Sequence, residues 1–329
     1  MKSGELTAKC KTRNMKDLAK RSLRRIFELG QGAGFDILPR HFYSSIPSLM
    51  ELRRSRNWRE PFDMYGIAGA SVSEQLAFLA DLCEPFLREW ADLDIYRIAN
   101  KENAQGGGYG VIEAEVLYAF VRRHRPRRIV QVGCGLSTSV MIRASSKANY
   151  RPDIVCIEPR PSAYLQTAQR NGQITLRRER AQETPRSVLT NLTASDLLFV
   201  DSTHTVKPGS EVNRIILDVL PRLVPDVFIH FHDVFFPYDY QRGLLSDDLF
   251  FWIESTLLHA FLVNNAHCRI QLSLSMLHYA APDRIKALIP RYEPQGNVDG
   301  LRAAGGRHFP SATYLLTTAP FVNAEQVKR

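Results

Sequence analysis

Between residues 128 and 231 the chain alternates short apolar runs with longer mixed stretches. The runs are RIVQV (128–132), DIVCIE (153–158), QITLR (173–177), DLLFV (196–200) and DVFIHF (226–231), rich in Val, Ile and Phe. A strand buried on both faces produces a continuous run of this kind, and helix-length separations imply right-handed crossovers onto a parallel sheet. A helix is expected over DDLFFWIESTLLHAFLVNN (247–265). Two further strands, RIQLSL (269–274) and ATYLLTT (312–318), follow across a Pro- and Gly-rich connection. The pattern predicts an α/β fold: a doubly wound, mostly parallel seven-stranded sheet with an N-terminal helical extension.

Upstream, SVSEQLAFLADLCEPFLREWADL repeats apolar residues at helical spacing after a Ser71 or Ser73 cap, and Pro85 must kink or divide it. The glycine-rich NAQGGGYG (103–110) punctuates the chain before VIEAEVLYAFVRRHRP, an amphipathic helix ended by Pro126. A boundary is expected near residue 100, with a basic arm and helical cap over 1–100 and the sheet domain over 101–329.

Composition narrows the classes. The chain has 329 residues, 44% of them hydrophobic, enough for a full core. Of its net charge of +9, +6 lies in residues 1–30, where nine Lys and Arg face three acids. Such an arm can reach phosphates or an anionic membrane surface, but the remainder is close to neutral and nucleic acid is not an expected partner. Five scattered cysteines, without CxxC or Cys/His spacing, argue against a disulfide framework or a zinc module. No apolar run approaches the ~18 residues of a membrane span. A reducing, cytoplasmic location is expected.

The chemistry begins at VQVGCGLSTS. Gly133 and Gly135 permit a sharp turn and close approach of backbone to a ligand, and Glu158 ends the next strand about 20 residues on, where an acid accepts hydrogen bonds from ribose hydroxyls. A dinucleotide fingerprint would want a third glycine at position 138, which is Thr138. A cofactor with ribose hydroxyls but no pyrophosphate fits better, which disfavours NAD.

At these residues the sequence resembles the class I S-adenosylmethionine-dependent methyltransferases, which are Rossmann-like, over about 105–318. VQVGCG resembles the first motif, with Gln131 where the family usually has an acid and Ser137 at a frequent third glycine. CIEP resembles the ribose-binding acid, and RERAQETP, which contains Gln182, the stretch beside the adenine. LLFVDSTHTVKPGSEV and HFHDVFFPYDY resemble the fourth and fifth strand ends of a bacterial branch related to cation-dependent small-molecule O-methyltransferases. The resemblance implies S-adenosylmethionine as cofactor, bound by Gln131, Gly133, Gly135, Glu158, Gln182 and Asp201. It implies a small-molecule or sugar hydroxyl as acceptor. It also implies a magnesium-type cation on Asp201 and Asp233, although Val234 stands where those relatives place an asparagine.

His204, three residues after Asp201, takes a position where the relatives often carry a catalytic lysine; an imidazole of ordinary pKa, ~6.5, suits a base near neutrality. His232 is expected to ligate, orient or act as base instead, and Asp201 to hold the cation or the acceptor. By strand alternation His230 and His232 share a side and Asp233 takes the other, unless the strand end bends. His230 is expected in the core. The aromatic run Phe235, Phe236, Tyr238 and Tyr240 is expected either to wall the acceptor or to pack its loop, and Trp252 and Glu254 to help close the pocket. A nucleotide-dependent oxidoreductase and a noncatalytic cofactor-binding partner protein remain the alternatives.

Overall fold

The computed structural model describes residues 20–55, 57–103, 108–240, 245, 248–293 and 310–318. Two compact units result, Met1–Arg54 and Ser55–Arg329. The first 19 residues of the basic arm, and most of the connection before the last strand, lie outside the described residues.

The second unit carries one seven-stranded sheet in the order β3-β2-β1-β4-β5-β7-β6. The strands are β1 (Arg128–Val132), β2 (Asp153–Ile157), β3 (Thr175–Arg177), β4 (Leu197–Val200), β5 (Phe228–Phe231), β6 (Cys268–Ser273) and β7 (Thr313–Thr317). β1 to β5 run parallel, and β7 runs antiparallel to both β5 and β6. Each apolar run is thus a strand, within one or two residues of its predicted ends.

Alternation sorts the strand side chains onto two faces. Ile129, Cys156, Leu176, Phe199 and Tyr314 join one core with the helices Val72–Cys83, Ile95–Asn103, Val111–His124 and Leu136–Lys147. Val130, Val132, Ile157, Val200 and Phe231 join a second core with Val212, Ile215 and Leu258. Leu79, Trp90 and Ala99 are buried in the first core beside the strands. Residue 100, where a boundary was expected, therefore lies inside the second unit. Pro85 divides its helix as predicted: Val72–Cys83 gives way to a 3-10 turn at Glu84–Phe86 and then to the helix Leu87–Asp92. The helix predicted over 247–265 is shorter, Glu254–Leu262, with Phe250 and Trp252 stacked on each other ahead of it (5.3 Å). Among the described residues no helix is long and apolar enough to cross a membrane.

Register sets the site. Val132 lies level with Ile157 and Val200, and Val200 with Phe231. The next residues, Glu158, Gly133, Asp201 and His232, continue the row, since Gly133 N donates to Ile157 O (3.2 Å), Asp201 N to Val132 O (2.9 Å) and His232 N to Val200 O (2.9 Å). Four chemistry-bearing residues thereby stand in line along the carboxyl edge, where open α/β sheets bind ligands.

Candidate active site

Strand order reverses between β1 and β4, and the cleft opens there. Gly133 has φ +75°, and a Cβ on it would stand 1.6 Å from the Asp201 carbonyl oxygen. Only glycine leaves the two strand ends this close. The cleft, about 720 Å³, is lined by Gly133, Glu158, Gln182, Asp201, Ser202 and Thr203 among others. Both carboxylate oxygens of Glu158 brace the loops here, accepting from Cys134 N (3.3 Å) and Arg160 N (2.9 Å).

Gln131 and Gly135 stand elsewhere. Gln131 is fully buried beneath the loop, where its amide donates to the Gly133 carbonyl (3.0 Å) and the Ser137 hydroxyl (2.8 Å) and accepts from the Thr138 hydroxyl (2.8 Å). An acid there could accept but not donate, so glutamine suits a brace between the loop and the following helix. Gly135 caps that helix, and a Cβ on it would stand 3.2 Å from Asn103 Nδ2.

Asp201 also belongs to a cluster of five titratable side chains, with His204, His232, Asp233 and Glu254. His204 is buried; its Nδ1 is 2.7 Å from Glu254 Oε2, and its Nε2 is 3.5 Å from both Asp201 Oδ1 and Asp233 Oδ2. His232 Nδ1 lies 3.5 Å from Asp233 Oδ2 and 3.7 Å from Asp201 Oδ1. His204 and Asp233 both have left-handed backbone, φ 57° and 55°. Such strain collects at functional sites. At Asp233 it is the bend that overrides strand alternation and turns the carboxylate to the side of His232.

Outer residues fix this group. The Ser311 hydroxyl donates to Asp233 Oδ1 (2.9 Å), and Ser311 N donates to Glu113 Oε1 (2.9 Å). Tyr109 stacks on His232 (4.7 Å between centroids) and Trp252 packs on His204 (4.6 Å). Ile253 N and Glu254 N both donate to the His204 carbonyl, which joins that loop to the helix supplying Glu254. Tyr109, Glu113 and Ser311 escape sequence reasoning: a tyrosine in a glycine-rich stretch and a serine just before the last strand carry no periodic signal. His230 lies in the core as expected, stacked on Phe199 (4.1 Å), although both its ring nitrogens lack a hydrogen-bond partner among the described residues. Phe235, Phe236 and Tyr238 are buried, so they pack their loop.

The electrostatics follow from burial against charge. Burial pulls His204 down, but Asp201, Glu254 and Asp233 outweigh it and hold the ring well above its ordinary value. His232, pulled down by burial and raised by Asp233 and Asp201, stands at about 9. Burial raises Asp233, yet His232 and His204 bring it below the usual carboxylate range. Burial raises Glu254. His230 is pushed well below its ordinary value by burial and by His232, so it is neutral. Both site imidazoles are therefore charged near neutrality, unlike the ordinary imidazole of the sequence expectation.

The donor set does not fit a magnesium-type ion, which takes about six oxygens in near-octahedral array. Here imidazole nitrogens stand between the two carboxylates, one oxygen of Asp233 is taken by Ser311, and apolar Val234 is fully buried. Among the described residues, no group of three or more His, Cys, Asp or Glu side chains is arranged to hold a metal ion. The cleft does fit a ribose-bearing cofactor, with an acid, a glycine approach and the Gln182 stretch on one rim.

Comparison with known proteins bears on the same segment. Residues 130–234 match the model of a methyltransferase domain family. An uncharacterized protein of Archaeoglobus fulgidus is 31% identical over 138 residues, 39% of this chain; the chain spans about 60% of that relative's length. The S-adenosylhomocysteine-bound methyltransferase PaMTH1 of Podospora anserina aligns over 86% of this chain and 98% of its own, at 16% identity and a TM-score of 0.39. The plantazolicin methyltransferase BpumL aligns over 75% and 96%, at 12% identity and a TM-score of 0.37. The family match spans β1 to the turn after β5, the segment that builds both the cleft and the Asp/His row, and that segment is therefore similar to a methyltransferase domain.

Proposed function

We propose that the chain methylates a hydroxyl of a small molecule or sugar, with His204 as base and His232 as a fixed positive charge. One observation carries this reading: Glu254 binds Nδ1 of His204, while Nε2 faces Asp201 and Asp233 beside the cofactor cleft. A buried carboxylate on Nδ1 fixes the tautomer, so that Nε2 holds the lone pair once the ring is neutral, and it stabilises the imidazolium formed afterwards.

S-adenosylmethionine supplies an already activated methyl group, so the protein contributes orientation and proton handling. Glu158 accepts from the ribose hydroxyls, and Gly133 lets the cofactor approach the backbone. Asp201, shared by cleft and cluster, orients the acceptor oxygen. His204 takes the hydroxyl proton at Nε2, and the charge on His232 stabilises the developing alkoxide. The active microstate holds one proton between two coupled imidazoles. Protonated His232 occupies the electrostatic role that a metal ion plays in the cation-dependent relatives.

The test is turnover of labelled S-adenosylmethionine against a panel of sugar and phenolic hydroxyls, with chelator present. Activity should persist in chelator, and His204→Ala should lower it by ~10²-fold or more with cofactor affinity unchanged. Loss in chelator and recovery with magnesium would return the role to a metal. A silent His204→Ala with a severe His232→Ala would exchange the two histidines.

A further inference from the structure

The first unit presents apolar surface without a core to explain it. Residues 20–32 are helical. At 100° per residue Leu23, Ile26, Phe27 and Gly30 share one side, and Lys20, Arg21, Arg24 and Arg25 the other. The chain then turns at Gly34 (φ 86°) and lies across Gly30, where a Cβ would meet the Phe35 carbonyl at 2.7 Å and Ile37 at 3.2 Å. Farther on, His41 Nδ1 accepts from Tyr43 N (3.1 Å), and the rings of Phe42 and Tyr43 touch (3.8 Å).

None of the large apolar side chains described in this unit is buried. Leu29 is 73% exposed, Phe35 67%, Phe42 87% and Tyr43 79%, with Leu23, Ile26, Ile37 and Leu38 also exposed. Patches of this kind mark an interaction surface. Charge selects the occupant. Residues 20–54 hold seven Lys and Arg against three acids. Arg24 pairs with Glu28 (2.8 Å) and Arg40 with Glu51 (3.4 Å), which leaves Lys20, Arg21 and Arg25 without an ion-pair partner among the described residues. A second copy would bring the same excess of cations to the contact. A nucleic acid would leave Leu29, Phe35, Ile37 and Leu38 in water. An anionic bilayer meets both features: acyl chains take the apolar side chains, headgroups the cations, and the interface the aromatic rings.

We propose that residues 20–46 dock the protein onto an anionic lipid surface, independently of the methyl-transfer chemistry. Flotation of the full chain with vesicles of phosphatidylcholine, alone or mixed with phosphatidylserine, tests it. Binding should need phosphatidylserine and weaken as salt rises. Arg21→Gln with Arg25→Gln should weaken it on the order of tenfold or more. Ile26→Asp with Phe42→Asp should abolish it, and an unchanged thermal midpoint and S-adenosylhomocysteine affinity would show the fold intact. Absent binding, or binding indifferent to lipid charge and to both double variants, overturns the proposal. So does a dimer in sedimentation that the Ile26→Asp, Phe42→Asp variant dissolves, or salt-sensitive capture of RNA in place of vesicles.

Discussion

Glu254→Gln isolates the charge that holds His204. Glutamine keeps the shape and a hydrogen-bond acceptor, so the substitution removes the negative charge 2.7 Å from Nδ1 and little else. An opposite charge at such range shifts a titration by about 1–3 units. At ~1.4 kcal/mol per unit, the loss is roughly 1.4–4 kcal/mol of preference for the charged ring. Histidine-labelled protein followed by nuclear magnetic resonance reads both imidazoles without an acceptor. In the wild type, His232 should titrate at about 9 and His204 well above its ordinary value. In the variant His204 should fall by about 1–3 units. His232, raised chiefly by Asp233 and Asp201, should move much less. If His204 titrates near ~6.5 in the wild type, or does not move in the variant, the reasoning about the cluster fails.

Stability should carry the same signature. A group raised in the folded state stabilises fully below its unfolded pKa, ~6.5 for histidine, and loses that contribution as pH rises through its folded value. His232, at about 9, should therefore cost the fold on the order of 3 kcal/mol between about pH 6.5 and pH 10. Urea unfolding across that range checks it, and His232→Gln should flatten the slope. Gly133→Ala should destabilise by at least ~2–3 kcal/mol, because its Cβ meets backbone 1.6 Å away as well as an unfavourable φ. Gly209→Ala, at φ +74° with nothing within 4 Å, should cost about 1–2 kcal/mol; equal thermal shifts for the two would refute the steric account.

The parallel sheet was legible because β1, β2, β4 and β5 are buried on both faces and so read as continuous apolar runs. The helix predicted over 247–265 was overread, since Phe250 and Trp252 look helical in sequence but stack on each other ahead of its first turn. Gly133, Glu158 and Asp201, each just past a strand end, line one cleft together with Gln182. Gln131 was expected to bind the cofactor, from its place in the first motif; its bracing role depends on three partners whose placement requires the loop. Asp233 was assigned the wrong side by alternation because the period of two ends where the backbone turns left-handed. The raised titration of His204 also lay beyond the sequence, since it depends in part on a carboxylate 50 residues away.

Calorimetry of S-adenosylhomocysteine against the wild type and Glu158→Ala tests the central claim most directly. The wild type should bind it and not NADH, and the variant should bind more weakly by over ~1 kcal/mol, since a charged acceptor is lost. Binding of NADH without S-adenosylhomocysteine, or equal affinity in the two proteins, would contradict the assignment of this cleft.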